Sequence, residues 1–355
     1  MQTIQNLMPF RSEHIFYYLN SNDDESTLHK KRPIHKITKM DFFIRNELTN
    51  TNKIKIATNY KKYYYVCENC SELKITQIDY DIIRSKDIKT DENVLMKFDD
   101  LDLIYLKNHL KTMYSSTQYL YTLIYFYKTL VTSIDLLVGQ QIVHNNITFQ
   151  SIVVDKQSNP LLTDFTFSID ICHQDIQQYI KRFFIAYEPS YLEWPLEFHI
   201  VAYLLTNNLS SLSSNNIETI INDVLEHHTI LKTFGCSVVS SYKEEAVLYF
   251  KKYVNQSYEY ILTDILQYYH TWDNYALSIL FLRILIGIHR TIGINNKFII
   301  LCMKLLVCNI HLTPIKRLTT DITNKRFDSI LDSLDTTDYT EIINGLLSAR
   351  STTSA

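Results

Sequence analysis

The stretch QIVHNNITFQSIVVDKQSNPLLTDF, residues 141–165, decides how the rest of the chain is read. Within it, Ile152–Val154 and Leu161–Leu162 are short apolar runs that predict two strands. The DKQSNP between them is built of residues that favour turns, so the pair predicts a β-hairpin. Upstream, Tyr114 to Leu137 carries apolar residues at helical spacing without Pro or Gly and predicts one long helix. Downstream of Trp194 the pattern predicts helices over 196–207, 216–233, 242–252, 256–270, 273–288, 297–308 and 326–347, with SSLSSNN (210–216) as a loop. Nearer the N-terminus, Tyr63–Val66, Leu73–Ile75 and Val94–Phe98 predict short strands, and the first half of Asp41–Ile56 a short helix. The basic run His29–Lys39 reads as a solvated strand edge in preference to an anion site, and residues 1–28 as a loosely packed lead-in. Strands gathered at one end and helices at the other give an α+β chain.

Composition narrows the function classes. Lys plus Arg (35) nearly balances Asp plus Glu (38) in 355 residues, leaving a net charge of −3. Neither nucleic acid nor an anionic membrane surface is expected as a partner. The most apolar run, Tyr275 to Ile288, is shorter than the roughly 20 residues of a bilayer span and contains Arg283. A buried central helix is expected there, and no membrane span. The opening MQTIQNLMPFRSEH lacks a basic-then-apolar leader, so a protein that is not secreted is expected, with free thiols at its six cysteines. Cys67 and Cys70 have the spacing of half a zinc site, but no second pair completes it. His173, His227 and His228 likewise lack a further ligand at metal spacing. The tyrosine run 63–65 reads as packing rather than a binding platform. Only 5 residues are glycine, and the first is Gly139.

The 141–165 stretch resembles the catalytic loop, hairpin and metal-binding motif of the eukaryotic protein kinases, whose pattern runs I-V-H-R-D-I-K-P-x-N-I-L-V-D and then D-F-G. His144, Ile147, Ile152, Val153 and Asp155 fall in step, and Asp164–Phe165 arrives where the family places its metal-binding Asp and Phe. WDNYALSILFLRIL (272–285) is similar to the family's central helix, with Asp273, Tyr275 and Ser278 at the Asp, Trp and Gly positions. NIHLTPIKRLT (309–319) is similar to the D-P-x-x-R-x-T stretch near the family's end. The resemblance implies that Asp273 holds the backbone of the 144–148 loop. It also implies that Arg317 pairs with a glutamate, Glu197 or its competitor Glu188. TNYKKYYYV (58–66), WPLEFH (194–199) and WDNYALS (272–278) further resemble the kinase-like proteins of large DNA viruses. The implied architecture is a bilobal kinase-like fold. It comprises a reduced β-containing N-lobe over 1–97, a large helical C-lobe over 98–347 with a helical insertion at 198–270, and a disordered tail at 348–355.

Departures from the pattern set the functional expectation. The catalytic-base position holds Asn146, an amide that orients a hydroxyl without taking its proton; a positioned base contributes about 10²–10⁴-fold. Thr148 stands at the phosphate-steadying Lys position, and Ser151 at the position of the Asn that binds the second metal ion. The metal position Asp164 is kept, and Ser151 could act as a shorter oxygen ligand. Thr166 replaces the glycine after Phe165 and restricts the backbone there. A glycine-rich phosphate loop is impossible without a glycine before residue 139. Lys36 or Lys39, with Glu47 as helix partner, are the candidates for the nucleotide-binding ion pair. The resemblance therefore implies a pseudokinase that acts as a protein-binding scaffold and requires no cofactor, in the host-cell cytoplasm or in the virion. One alternative is a weakly active divergent Ser/Thr kinase using Asp164, Ser151 and Mg-ATP. Another is a structural virion component that binds no nucleotide.

Overall fold

A computed structural model describes residues 15–16, 35–73, 93–114, 117–292 and 296–353. The expected lead-in, the basic residues 29–34 and the strand positions beyond Leu73 lie outside the described residues, apart from Ile15–Phe16. The fold is mixed α+β, and the chain divides into two compact units. One comprises Met1–Thr112 with Phe149–Ser168, the other Met113–Thr148 with Ile169–Ala355. This differs from a single break after residue 97, because the 152–163 hairpin is hydrogen-bonded into the first unit's strands.

The first unit holds two four-stranded sheets. In one, β1 (Ile15–Phe16), β2 (His35–Lys39), β5 (Asn93–Lys97) and β4 (Asn69–Leu73) lie in the order β1-β2-β5-β4, all antiparallel. Strand β2 is thus an inner strand and not a solvated edge. Its alternation buries Lys36 and exposes Lys39. In the other sheet, β3 (Tyr64–Tyr65) runs parallel to β9 (Pro160–Thr163), which pairs with β8 (Ile152–Val154), and β8 pairs with β6 (Ile104–Tyr105). The predicted hairpin turn is closed by Asp155, whose carboxylate accepts from the Asn159 amide (2.8 Å) and side chain (2.9 Å). Helix α1 spans Phe42–Ile54, capped by Asp41, whose carboxylate accepts from the Ile44 amide at 2.9 Å. It runs the full length of its segment and not half of it, because Glu47, Asn50, Thr51 and Ile54 continue the buried face of Ile44. That face is partly polar, so apolar spacing alone understates it. Ile44, Tyr65, Cys67, Val94, Met96, Phe98, Leu103, Val153 and Leu161 form the core.

The second unit is helical. After α2 (Leu106–Met113) in the connection come α3 (Tyr119–Gly139) and β7 (Ile142–Val143), which pairs antiparallel with β10 (Ile169–Asp170). Helices α4 (Ile176–Lys181), α5 (Leu196–Thr206), α6 (Ser214–His227), α7 (Thr229–Lys232), α8 (Cys236–Phe250) and α9 (Tyr258–Leu266) follow. Then come α10 (Trp272–Ile292), α11 (Lys297–Asn309), α12 (Thr320–Asp332) and α13 (Thr336–Thr353). Helix α10 is the unit's central element, with buried residues on all sides from Trp272 to Leu282. With the preceding 3₁₀ turn it forms a 24-residue helical span, Tyr269–Ile292, which together with α3 is long and apolar enough to cross a membrane. In the apolar window of that span, 61% is buried inside the protein, as befits a core helix.

Several helix boundaries differ from expectation. The 216–233 segment breaks at His228, whose Nδ1 accepts from the Leu231 amide and starts α7. The 326–347 segment is two helices, because Asp335 caps a fresh start: its carboxylate accepts from the amides of Thr337 (2.8 Å) and Asp338 (3.0 Å). Helix α13 then runs on to Thr353 through the expected tail, which contains no Pro or Gly to stop it. The 198–270 stretch packs into the second unit. The Tyr258 hydroxyl donates to the Gln177 carbonyl (3.0 Å), and that of Tyr242 to the Val307 carbonyl (3.1 Å).

Candidate functional site

In the first unit, the Lys36 ammonium donates to Glu47 Oε2 at 2.9 Å, with both side chains 2% exposed. An unpaired charge buried this deeply costs several kcal/mol, so each makes the other's burial tolerable. Glu47 is the ammonium's sole hydrogen-bond partner among the described residues. An ammonium carries three N–H donors, so beyond Glu47 it has the capacity to bind a further acceptor. Lys39, the other candidate, points to solvent.

The same Glu47 Oε2 lies 3.0 Å from the Thr166 hydroxyl, which lies 2.7 Å from Asp164 Oδ1. Lys36, Glu47, Thr166 and Asp164 thus form one continuous polar chain. Asp164 takes left-handed backbone angles, φ 65° and ψ 69°, a region uncommon for non-glycine residues that Asp and Asn enter more readily than most. Downstream, the backbone bends in a 3₁₀ turn over Phe165–Phe167. Phe165 is fully buried against the edge of Tyr64, centroids 5.9 Å apart, and Phe167 packs on Phe43 at 5.2 Å. Ser151, the other expected metal ligand, is buried just before β8, and its carbonyl accepts from the Thr163 amide (2.9 Å) beside Asp164. Asp164 and Thr166 offer the hard oxygen donors that suit Mg²⁺. The Lys36 ammonium is a hydrogen-bond donor that suits a phosphate oxygen.

In the second unit, the loop after β7 is held by Asp273. The His144 amide donates to its Oδ2 (2.6 Å) and the Asn145 amide to its Oδ1 (2.9 Å). This is the anchoring anticipated for Asp273. Asn145 has φ 62°, a conformation asparagine tolerates. Burial raises the Asp273 carboxyl above its ordinary range, while His144 and the two amides pull it down. Asn146 is 8% exposed, and its Oδ1 accepts from the Tyr191 hydroxyl at 2.8 Å. The candidate base is therefore an amide whose oxygen already holds a hydroxyl of this same chain. Thr148 is half-buried at the loop's end.

The ion pair of Arg317 forms with Glu197, not Glu188. The guanidinium donates twice to the carboxylate (2.6 and 2.7 Å), both side chains are 0% exposed, and Arg317 Nε also donates to the His311 carbonyl (2.7 Å). Trp272 Nε1 donates to the same carboxylate at 3.0 Å, and the Tyr275 ring lies 5.1 Å from the guanidinium carbon. Glu188 instead accepts from Ser190. Ser278 accepts from Asn309 Nδ2 at 3.0 Å inside the helical core.

The remaining candidates have structural partners. Cys67 is buried, and its thiol is pushed up to about 12 by burial and then by the charge of Glu47, which disfavours the thiolate a zinc site needs. No group of three His, Cys, Asp or Glu side chains able to hold a metal is found among the described residues. His173 stacks on Tyr179, and Tyr65 stacks on Phe98 while donating to the Asp99 carbonyl. Sequence reasoning does not single out Asn46, Asn50 or Tyr191. The only available signal for the asparagines is their place on the buried face of RNELTN, one before and three after Glu47. No protein-family model matches this sequence, and no curated protein matches it.

Proposed function

We propose that the chain is a catalytically impaired, kinase-like protein, with a bilobal fold, that works by binding other proteins. One contrast carries this reading: the buried Lys36–Glu47 ion pair is complete and continuous with Asp164, whereas the acceptor at 146 is an amide already engaged by Tyr191. Phosphoryl transfer depends on positioning and charge neutralisation, and it needs a group to orient and deprotonate the attacking hydroxyl. Bound Mg-ATP would supply the phosphoryl group and the neutralising cation. Lys36 would orient a phosphate oxygen and Asp164 would hold the cation; in the other unit, a neutral amide such as that of Asn146 can orient a hydroxyl without accepting its proton. The packed 198–270 helices enlarge the helical unit and give it additional surface for a protein partner. On this reading the protein acts in the cytoplasm of an infected cell or in the virus particle.

A second reading, a weakly active Ser/Thr kinase, is favoured by one observation: a buried lysine ammonium held by Glu47 suits a phosphate oxygen. Titration with ATP in the presence and absence of Mg²⁺, followed by thermal unfolding, separates nucleotide binding from transfer. A ligand at 100 times its Kd stabilises by about 2.7 kcal/mol. A stabilisation lost in both Lys36→Ala and Asp164→Ala supports a nucleotide site built as proposed. One that survives both substitutions contradicts it.

A further inference from the structure

A second set of side chains ties the Asp164 turn to helix α1. Asn46 Nδ2 donates to the carbonyls of Thr166 (3.1 Å) and Ser168 (2.7 Å). Asn50 Nδ2 donates to the Ser168 carbonyl (3.1 Å) and hydroxyl (2.8 Å), and to Asn46 Oδ1 (3.2 Å). The Ser168 hydroxyl donates to the Phe165 carbonyl (2.6 Å) and closes the turn from within. Asn46, Asn50, Thr166 and Ser168 are all buried, at 6%, 0%, 1% and 0% exposure. In such surroundings an unmade hydrogen bond is costly, so these bonds specify one arrangement. Thr166 adds the chemical link. Its single hydroxyl hydrogen serves Asp164 or Glu47 at any moment, yet its oxygen touches both, with Lys36 offsetting their mutual repulsion.

We propose that Thr166, Asn46 and Asn50 are positioning residues that fasten the Asp164 carboxylate to the Glu47 helix, so that the Lys36–Glu47–Asp164 arrangement stands assembled without any ligand. The residue type at 166 decides this: a glycine there has no hydroxyl and leaves the two carboxylates unlinked. The fastening stands on geometry alone; only the use of the assembled site rests on the kinase-like reading.

Hydrogen exchange of the full chain without nucleotide, read by mass spectrometry, tests the proposal. Peptides covering 42–54 and 163–168 exchange slowly in the wild type. Thr166→Val keeps the volume and removes the hydroxyl, and it accelerates both segments together by about 10–100-fold. Asn50→Leu does the same, and Thr166→Ser restores wild-type protection to within about twofold. Peptides from 272–285 serve as the internal control and keep their protection. The proposal is overturned if Thr166→Val exchanges like the wild type, if only one of the two segments responds, or if Thr166→Ser is as fast as Thr166→Val. Should Thr166→Val unfold throughout, Asn50→Leu and Thr166→Ser decide by the same criteria. A parallel Mg-ATP titration keeps the two ideas apart. A wild type blind to Mg-ATP, with the exchange pattern intact, removes the nucleotide site and leaves the fastening. The reverse result removes the fastening alone.

Discussion

Replacing Glu197 by Gln removes one charge from the most deeply buried ion pair of the helical unit and leaves Arg317 without a counterion. The magnitude follows from its surroundings. Both side chains are 0% exposed, and the two guanidinium nitrogens that bond Glu197 have only weaker alternatives, the Thr271 hydroxyl at 3.4 Å and the Leu312 carbonyl at 3.3 Å. The glutamine amide nitrogen would also face guanidinium donors. Breaking a buried pair from one side costs about 3–5 kcal/mol, and this geometry argues for the upper half of that range. Arg317→Met strands the carboxylate and costs a similar amount. The double variant Glu197→Leu with Arg317→Met buries no charge. It forfeits the bond from Trp272 Nε1 and the one to the His311 carbonyl, at about 1 kcal/mol each. The double variant is therefore more stable than either single one. The chain has only two tryptophans, Trp194 and Trp272, both buried in the second unit, so their fluorescence follows that unit's unfolding alone. In urea the Glu197→Gln midpoint falls by about 1–2 M. A loss below about 1 kcal/mol, or a double variant whose loss equals the sum of the singles, refutes the reasoning.

Other outcomes follow from the same geometry. Lys36→Met leaves the Glu47 carboxylate buried without its cation and destabilises the first unit by about 3–5 kcal/mol, seen as faster hydrogen exchange in 42–54 while 272–285 is unchanged. Asp273→Asn replaces an acceptor of two backbone amides by a group that can face only one of them correctly; exchange at 142–147 rises by about 10-fold or more. Burial lowers His199 to about 4 and His228 to about 3, so the unfolded chain binds more protons than the folded one below about pH 6.5. Their contribution to stability is complete above pH 6.5 and is lost as pH falls towards 4, by up to about 1.4 kcal/mol per pH unit for each histidine. His199→Gln flattens that slope in urea unfolding followed by tryptophan fluorescence, and an unchanged slope counts against it.

Long-range pairs were legible where a motif constrains residue type. The kinase resemblance implies Asp273 with the backbone of the 144–148 loop, and it offers Glu197 or Glu188 for Arg317 and Lys36 or Lys39 for Glu47. The choice between Lys36 and Lys39 was not legible. It depends on which face of β2 is covered, and that is fixed by pairing with Asn93–Lys97, more than fifty residues away. Asn46, Asn50 and Tyr191 stayed hidden for a different reason: asparagine and tyrosine are abundant throughout the chain, so type alone does not mark them. Helix starts at His228 and Asp335 rest on single side-chain caps, which apolar periodicity does not register. The attachment of the 152–163 hairpin to the first unit depends on the parallel pairing of Tyr64–Tyr65 with Leu162–Thr163, a contact between segments far apart in sequence.

On the proposed function, the amide at 146 leaves phosphoryl transfer crippled. Transfer of radiolabelled phosphate from Mg-ATP to a protein acceptor measures it directly, with Asp164→Ala as the background. Wild type is expected to equal this background, and Asn146→Asp combined with Tyr191→Phe to rise above it. Transfer by the wild type that disappears in Asp164→Ala would overturn the proposed function.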